Sequence, residues 1–188
     1  MLADEAHIPV VPPTGKRKRL AKISLFILCL GAIVWLGGIN IRALVGFDLL
    51  QTGTLEFKQN IHPYVERTVF ALLAQSSTIV NTAYIVVWIA GIFYLRSSGL
   101  RMKENGWLLM SVILFYLFTP VEIYTMILDL RMWQLDHIGS NDLVEFRKLF
   151  IHRLAALKGV PTIALLCYYT SLGLVVFRPM TRKHDIAT

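Results

Sequence analysis

Four apolar stretches with Lys or Arg gathered at one side decide what this chain can become: Ala21–Leu44, Val69–Leu95, Trp107–Leu128 and Val160–Phe177. Each matches or approaches the ~20 residues a helix needs to cross a hydrocarbon core of ~30 Å. The expected fold is an all-α integral membrane protein with four antiparallel transmembrane helices and short interfacial amphipathic helices in its two outer segments. A hydrophobic share of 55% and a mean hydropathy of +0.58 over 188 residues support this class, since soluble domains hold about 45–50% apolar residues. The length allows one membrane domain over 21–178, with an extended cytoplasmic tail at 1–20 and a second tail at 179–188.

Dividing the charge between the two sides of four crossings makes the net +7 informative. Eleven basic and four acidic residues fall in or directly beside the tails and the loop at Arg96–Lys103, Lys22, Glu104 and Arg178 being the adjoining ones, and account for the whole of it. The remaining eight basic and eight acidic residues, from Arg42 to Lys158, cancel. Because Lys and Arg near span ends set orientation, both termini are expected in the cytoplasm and the protein in an inner (plasma) membrane as a multi-pass chain. The basic balance reads as topology and contact with anionic headgroups, so no nucleic-acid partner is expected.

Pro9, Pro12 and Pro13 favour an extended N-terminal tail. The apolar run after Lys16–Arg19 is longer than a signal-peptide core and lacks a clean small-residue cleavage site, so it reads as an uncleaved first span. In the first outer segment, Leu55–Val65 predicts a short helix on the membrane surface. Pro63 suits the start of the second helix, and Arg96-Ser97-Ser98-Gly99 ends it, making the second and third spans a hairpin. In the second outer segment, Ser140-Asn141-Asp142 offers N-cap groups. An interfacial helix is expected over 142–157, with Leu143, Phe146, Leu149, Phe150, Leu154 and Leu157 at near-helical spacing. Gly159 and Pro161 bend the chain into the fourth span, and Gly31, Gly37, Gly38 and Gly91 allow close helix approach.

The candidate site is a polar cluster in the outer half of the bundle. Glu122 lies inside the third span on one helical face with Thr119, Met126 and Asp129, and an intramembrane carboxylate demands a partner. Lys158, Arg153 and Arg42 are the candidates by depth. Gln75 and Asn81 on the second span and Asn40 on the first complete a ligand or ion site of Glu122, Lys158, Asn81, Gln75, Thr119, Asn40 and Arg42. Three readings compete: a structural ion pair, a cavity for an ion, lipid headgroup or small solute, and a contact to another subunit.

No catalytic residues and no metal ligands stand out. His7 and His184 lie in the tails, and His62, His137 and His152 in the outer segments, so haem ligation by an intramembrane His is not expected and the cofactor is unknown. Cys29 and Cys167 fall within spans and read as small apolar side chains. The Tyr168-Tyr169 pair reads as packing, with contact to a partner, pigment, quinone or lipid as the alternative. No nucleophile elbow, phosphate loop or HExxH is present.

The leading expectation is a non-catalytic multi-span subunit that anchors or stabilises a larger inner-membrane assembly. Its partners would be the lipid bilayer and other membrane subunits or copies of itself. The alternative is a small transporter, channel or ligand-binding protein using the Glu122 cluster. A weaker one is an enzyme acting on a lipid-type substrate at the outer interface, with Glu122 or His152 as acid/base.

Overall fold

A computed structural model describes residues 15–138 and 142–181. The proline-rich stretch before Gly15, the Ser140-Asn141 part of the expected N-cap, His7, His184 and the last basic residues lie outside the described residues. The fold is helical throughout: α1 Gly15–Asp48, α2 Pro63–Ser97, α3 Gly106–Leu117, α4 Thr119–His137, α5 Leu143–Ala155 and α6 Val160–Phe177, with a short 3₁₀ turn at Ala156–Gly159 before α6. Four helical stretches are long and apolar enough to cross a membrane: α1, α2, α3 continuing into α4, and α5 continuing into α6. In lipid, every backbone polar group must be satisfied within the segment, which makes helix the outcome for such sequences.

Local chemistry explains the boundaries. Pro63 opens α2, and the Tyr64 N–H donates to His62 Nδ1 at 3.3 Å. Gly99, with φ of 69°, turns the chain away after α2. Pro120 has no N–H to offer the carbonyl four residues earlier, and the third span breaks there into α3 and α4 around Phe118. Before α6, Leu157, Lys158 and Gly159 hold positive φ in succession, so the chain swings sharply before Pro161 helps α6 begin.

The helices are longer than the hydrocarbon they would cross: α1 has 34 residues and α2 has 35, about 50 Å each against a ~30 Å core. Two groups of helix termini are called the tail end and the loop end. The tail end carries Gly15, Ser97, Gly106 and Phe177, and is tied by the Gly106 N–H donating to the Met180 carbonyl at 3.2 Å. The loop end carries Asp48, Pro63, His137 and Leu143.

α1 packs along α2, and α3 packs along α6. The α1/α2 seam depends on glycine. A Cβ on Gly31 would lie 2.8 Å from a Val87 methyl, and one on Gly38 would lie 2.5 Å from a Val80 methyl. Gly91 gives room to the Tyr116 hydroxyl, whereas nothing approaches Gly37. Two apolar cores follow. At mid-bundle, Trp35 meets Tyr84, Tyr168 and Phe115 at ring separations of 5.0, 4.7 and 5.9 Å, with Leu36, Val80 and Ala164 around them. At the loop end, Phe70 stacks on Phe146 at 5.6 Å among Leu49, Leu50, Leu73, Met132 and Phe150.

The expected surface helix over Leu55–Val65 does not form. Gly53, at φ of 78°, reverses the chain, and the Gln51 N–H donates to the Glu56 carbonyl at 2.8 Å. A single antiparallel bridge then pairs Leu50 with Phe57. Phe57 is thereby placed against Phe70 and Phe150, so core burial outcompetes helix formation in this segment. The apolar stripe of α5 is also used inside the protein: Phe146 and Phe150 are buried, with Leu143, Leu149 and Leu154 packed beside them. Asp142, the described part of the expected N-cap, accepts from the Val144 N–H at 2.9 Å.

Candidate functional site

Charged side chains from four helices meet at the loop end. Asp129 on α4 is 1% exposed and receives two arginines in forked geometry. Arg42 on α1 donates to its two oxygens at 3.0 and 2.9 Å, and Arg153 on α5 at 2.5 and 3.1 Å. Charge-assisted, bidentate bonds of this kind are the strongest hydrogen bonds available to side chains. Glu66 on α2, also 1% exposed, takes Arg147 of α5 at 2.6 and 2.5 Å. Arg67 on α2 pairs with Asp136 of α4 at 2.7 Å. The guanidinium groups of Arg67 and Arg147 also lie over the Phe146 and Phe57 rings, at 4.4 and 5.1 Å. Ion pairs and the aromatic core are thus interleaved in one structure, joining α1, α2, α4 and α5.

The predicted site residues are only partly gathered. Arg42 belongs to the network, but its carboxylate partner is Asp129. Glu122 lies on the same face of α4 seven residues earlier, about 10 Å nearer the bundle centre. There it is turned toward Tyr168, within electrostatic reach of Arg153 and Asp129, and no described Lys or Arg pairs with it directly. Thr119 accepts from the Tyr84 hydroxyl at 3.2 Å. Asn40 bonds the Leu36 carbonyl at 2.8 Å and the Tyr169 hydroxyl. Lys158 sits in the left-handed turn before α6, exposed and not ion-paired with Glu122. Gln75 is exposed on the outer surface of α2, and Asn81 is half-buried in a groove between α2 and α4 with Ser77, Met126 and Trp133. These residues therefore occupy several separate places around the bundle.

Sequence reasoning missed Asp129, Glu66 and Arg147 as the members that organise the loop end. One signal was available: the eight acids and eight bases on this side cancel, which is the composition that mutual pairing produces. Other proximities are modest. The Tyr124 hydroxyl lies 3.2 Å from His152 Nε2, and His137 stacks on Trp133 at 4.2 Å. Among the described residues no group of His, Cys, Asp and Glu is arranged to hold a metal. Cys29 and Cys167 are free thiols.

A second feature lies in the tail half, where the sequence offered only the alternative reading of the Tyr168-Tyr169 pair. The helix pairs α1/α2 and α3/α6 part there around an apolar cavity of about 170 Å³, between Leu28, Val87, Leu108 and Val112. The ring of Tyr168 closes it toward the bundle centre, and Trp107 and Arg178 stand at the tail end.

No protein-family model matches this chain, and no curated protein or solved structure matches it.

Proposed function

We propose that this chain is a non-catalytic multi-span subunit that anchors or stabilises a larger inner-membrane assembly, and that α2 meets a transmembrane helix of its neighbour. Two carboxamides carry the reading. Asn81 lies at the middle of the 35-residue α2, the depth of the hydrocarbon for a helix of this length. Gln75 lies six residues, about 9 Å, toward the loop end. Neither side chain has a hydrogen-bond partner among the described residues, and Gln75, Thr78 and Thr82 are exposed along the helix. Thr78 and Thr82 donate to carbonyls of their own helix, each at 2.7 Å. They leave a ridge of small residues while the carboxamides keep free donors and acceptors. A carboxamide facing acyl chains is unfavourable, and small residues with interhelical hydrogen bonds are how transmembrane helices associate.

The topology that accompanies this role has four alternating crossings, with the tail end in the cytoplasm by its excess of Lys and Arg. Alternation is supported by the α1/α2 seam, where Gly31, Gly38 and Gly46 face Val87, Val80 and Leu73 in turn. α5 would lie at the outer interface, its buried Phe146 and Phe150 opposite exposed Glu145, Lys148 and His152.

A photo-crosslinker at position 78 should give a discrete adduct from native membranes, while one at exposed Val176 of α6 should not. The double change Gln75→Leu and Asn81→Leu should reduce that adduct without reducing folded yield. An adduct of twice the chain mass would identify the neighbour as another copy. A monodisperse single polypeptide without adducts after gentle extraction would refute the role. The second reading, a transporter, channel or ligand-binding protein, draws on Glu122, which stands outside the direct ion pairs of α4. It requires that Glu122→Gln abolish binding or flux and leave folded yield intact.

A further inference from the structure

We propose that the tail-half cavity is a lipid site that takes one hydrocarbon chain of an anionic membrane lipid, with the headgroup held at Arg178. The walls define the chain end of the ligand. Of the hydroxyl-bearing residues in the lining, Ser111 donates to the Trp107 carbonyl at 2.8 Å, Ser171 to the Cys167 carbonyl at 2.9 Å and Tyr116 to the Trp88 carbonyl at 3.1 Å, while the buried Tyr168 hydroxyl lies at the closed end. The remaining surface is overwhelmingly apolar. Cavities of this character stay dry and take apolar guests, as a ~150 Å³ apolar cavity takes benzene. The volume here, about 170 Å³, suits a segment of acyl chain.

Access follows from exposure. Among the lining residues, Leu25 on α1 and Leu172 and Val175 on α6 are 37%, 41% and 38% exposed, so the cavity opens between those two helices. In a bilayer that opening faces acyl chains.

The tail end supplies the polar half of the recognition. Arg178 follows α6 directly, about 10 Å along the chain axis from Ser171. Its guanidinium lies 5.5 Å from the centre of the Trp107 ring, and no described carboxylate pairs with it. The contrast with the loop end is direct, because there Arg42, Arg147 and Arg153 are committed to acids. A guanidinium with free fork donors beside an indole at headgroup depth is suited to a phosphate or carboxylate. Anionic head and apolar chain are then read by adjacent parts of one site.

Native mass spectrometry of the full chain, equilibrated with vesicles of phosphatidylcholine and phosphatidylglycerol and then diluted, tests this. Wild type should retain one phosphatidylglycerol per chain. Val112→Phe, which fills the cavity, should retain none. Arg178→Ala should keep a lipid but lose about tenfold in preference for phosphatidylglycerol, the scale of one hydrogen bond to a charged group. Retention of a fatty acid mass would assign the same chemistry to a single-chain source. Equal retention of both phospholipids by wild type, unchanged retention in V112F, or a neutral lipid held equally in R178A would overturn the proposal. Should V112F not yield a folded chain, chain-brominated phosphatidylglycerol decides with the W88F/W133F variant, whose remaining tryptophans, Trp35 and Trp107, line the cavity. Saturable quenching supports the site, and quenching that only rises in proportion to bulk lipid overturns it.

Discussion

At the loop end, Phe70 and Phe146 stack at 5.6 Å, and arginines from three helices pair with buried acids. In the tail half the helix pairs stand apart around an apolar cavity of about 170 Å³. The difference follows from length and surroundings. Helices of about 50 Å exceed a ~30 Å core, and at the loop end, where the charged side chains gather, helix α5 is present to complete an apolar core. Within hydrocarbon, lipid chains are as apolar as leucine, so gaps between helices are penalised less and can be filled by lipid.

The sharpest way to break the comparison is Asp129→Ala, which leaves the largely buried Arg42 and the partly exposed Arg153 without their shared carboxylate. It should cost about 4 kcal/mol, the scale for removing one partner of a buried pair, read as a large fall in thermal midpoint in detergent. An effect no larger than that of an exposed pair would show that the loop end is wet and loosely held. Phe70→Ala should come next, at about 3 kcal/mol, because its 0% exposed ring leaves a void among fixed neighbours. Gly38→Leu should cost about 2 kcal/mol by forcing α1 from Val80, with loss of a disulfide crosslink engineered across that seam as the check. In the tail half, Leu108→Ala should fall at the low end of core truncations, about 2 kcal/mol, and less in lipid bicelles than in short-chain detergent, since acyl chain refills the added volume. Smallest of all, Lys58→Ala should change stability by no more than ~0.5 kcal/mol, as its 2.8 Å pair with Asp48 is open to solvent.

Much of this was legible beforehand, and the misses share a cause. The bend before α6 comes from Gly159, a residue with a permissive backbone. The helical face shared by Glu122 and Asp129 was also correct. What sequence could not supply was depth: seven residues separate the two acids along α4, and Arg42 and Arg153 reach only the one nearer the loop end. Lys158 drops out because three left-handed residues redirect the chain beside it. Leu55–Val65 had helical spacing, yet Phe57 gained more by joining the core through a tight turn.

The amino-acid sequence by itself determined that four segments are long and apolar enough to span a bilayer and that Lys and Arg concentrate in the short stretches Lys16–Lys22 and Arg96–Lys103. Both are sums over neighbouring residues, so no knowledge of the fold is needed to evaluate them. Only the tertiary structure decided that Arg147 meets Glu66 across 81 positions, that two arginines share Asp129, and that a cavity opens between helix pairs. Those outcomes depend on the axial offset and rotation of whole helices against one another, quantities that no local stretch of chain contains.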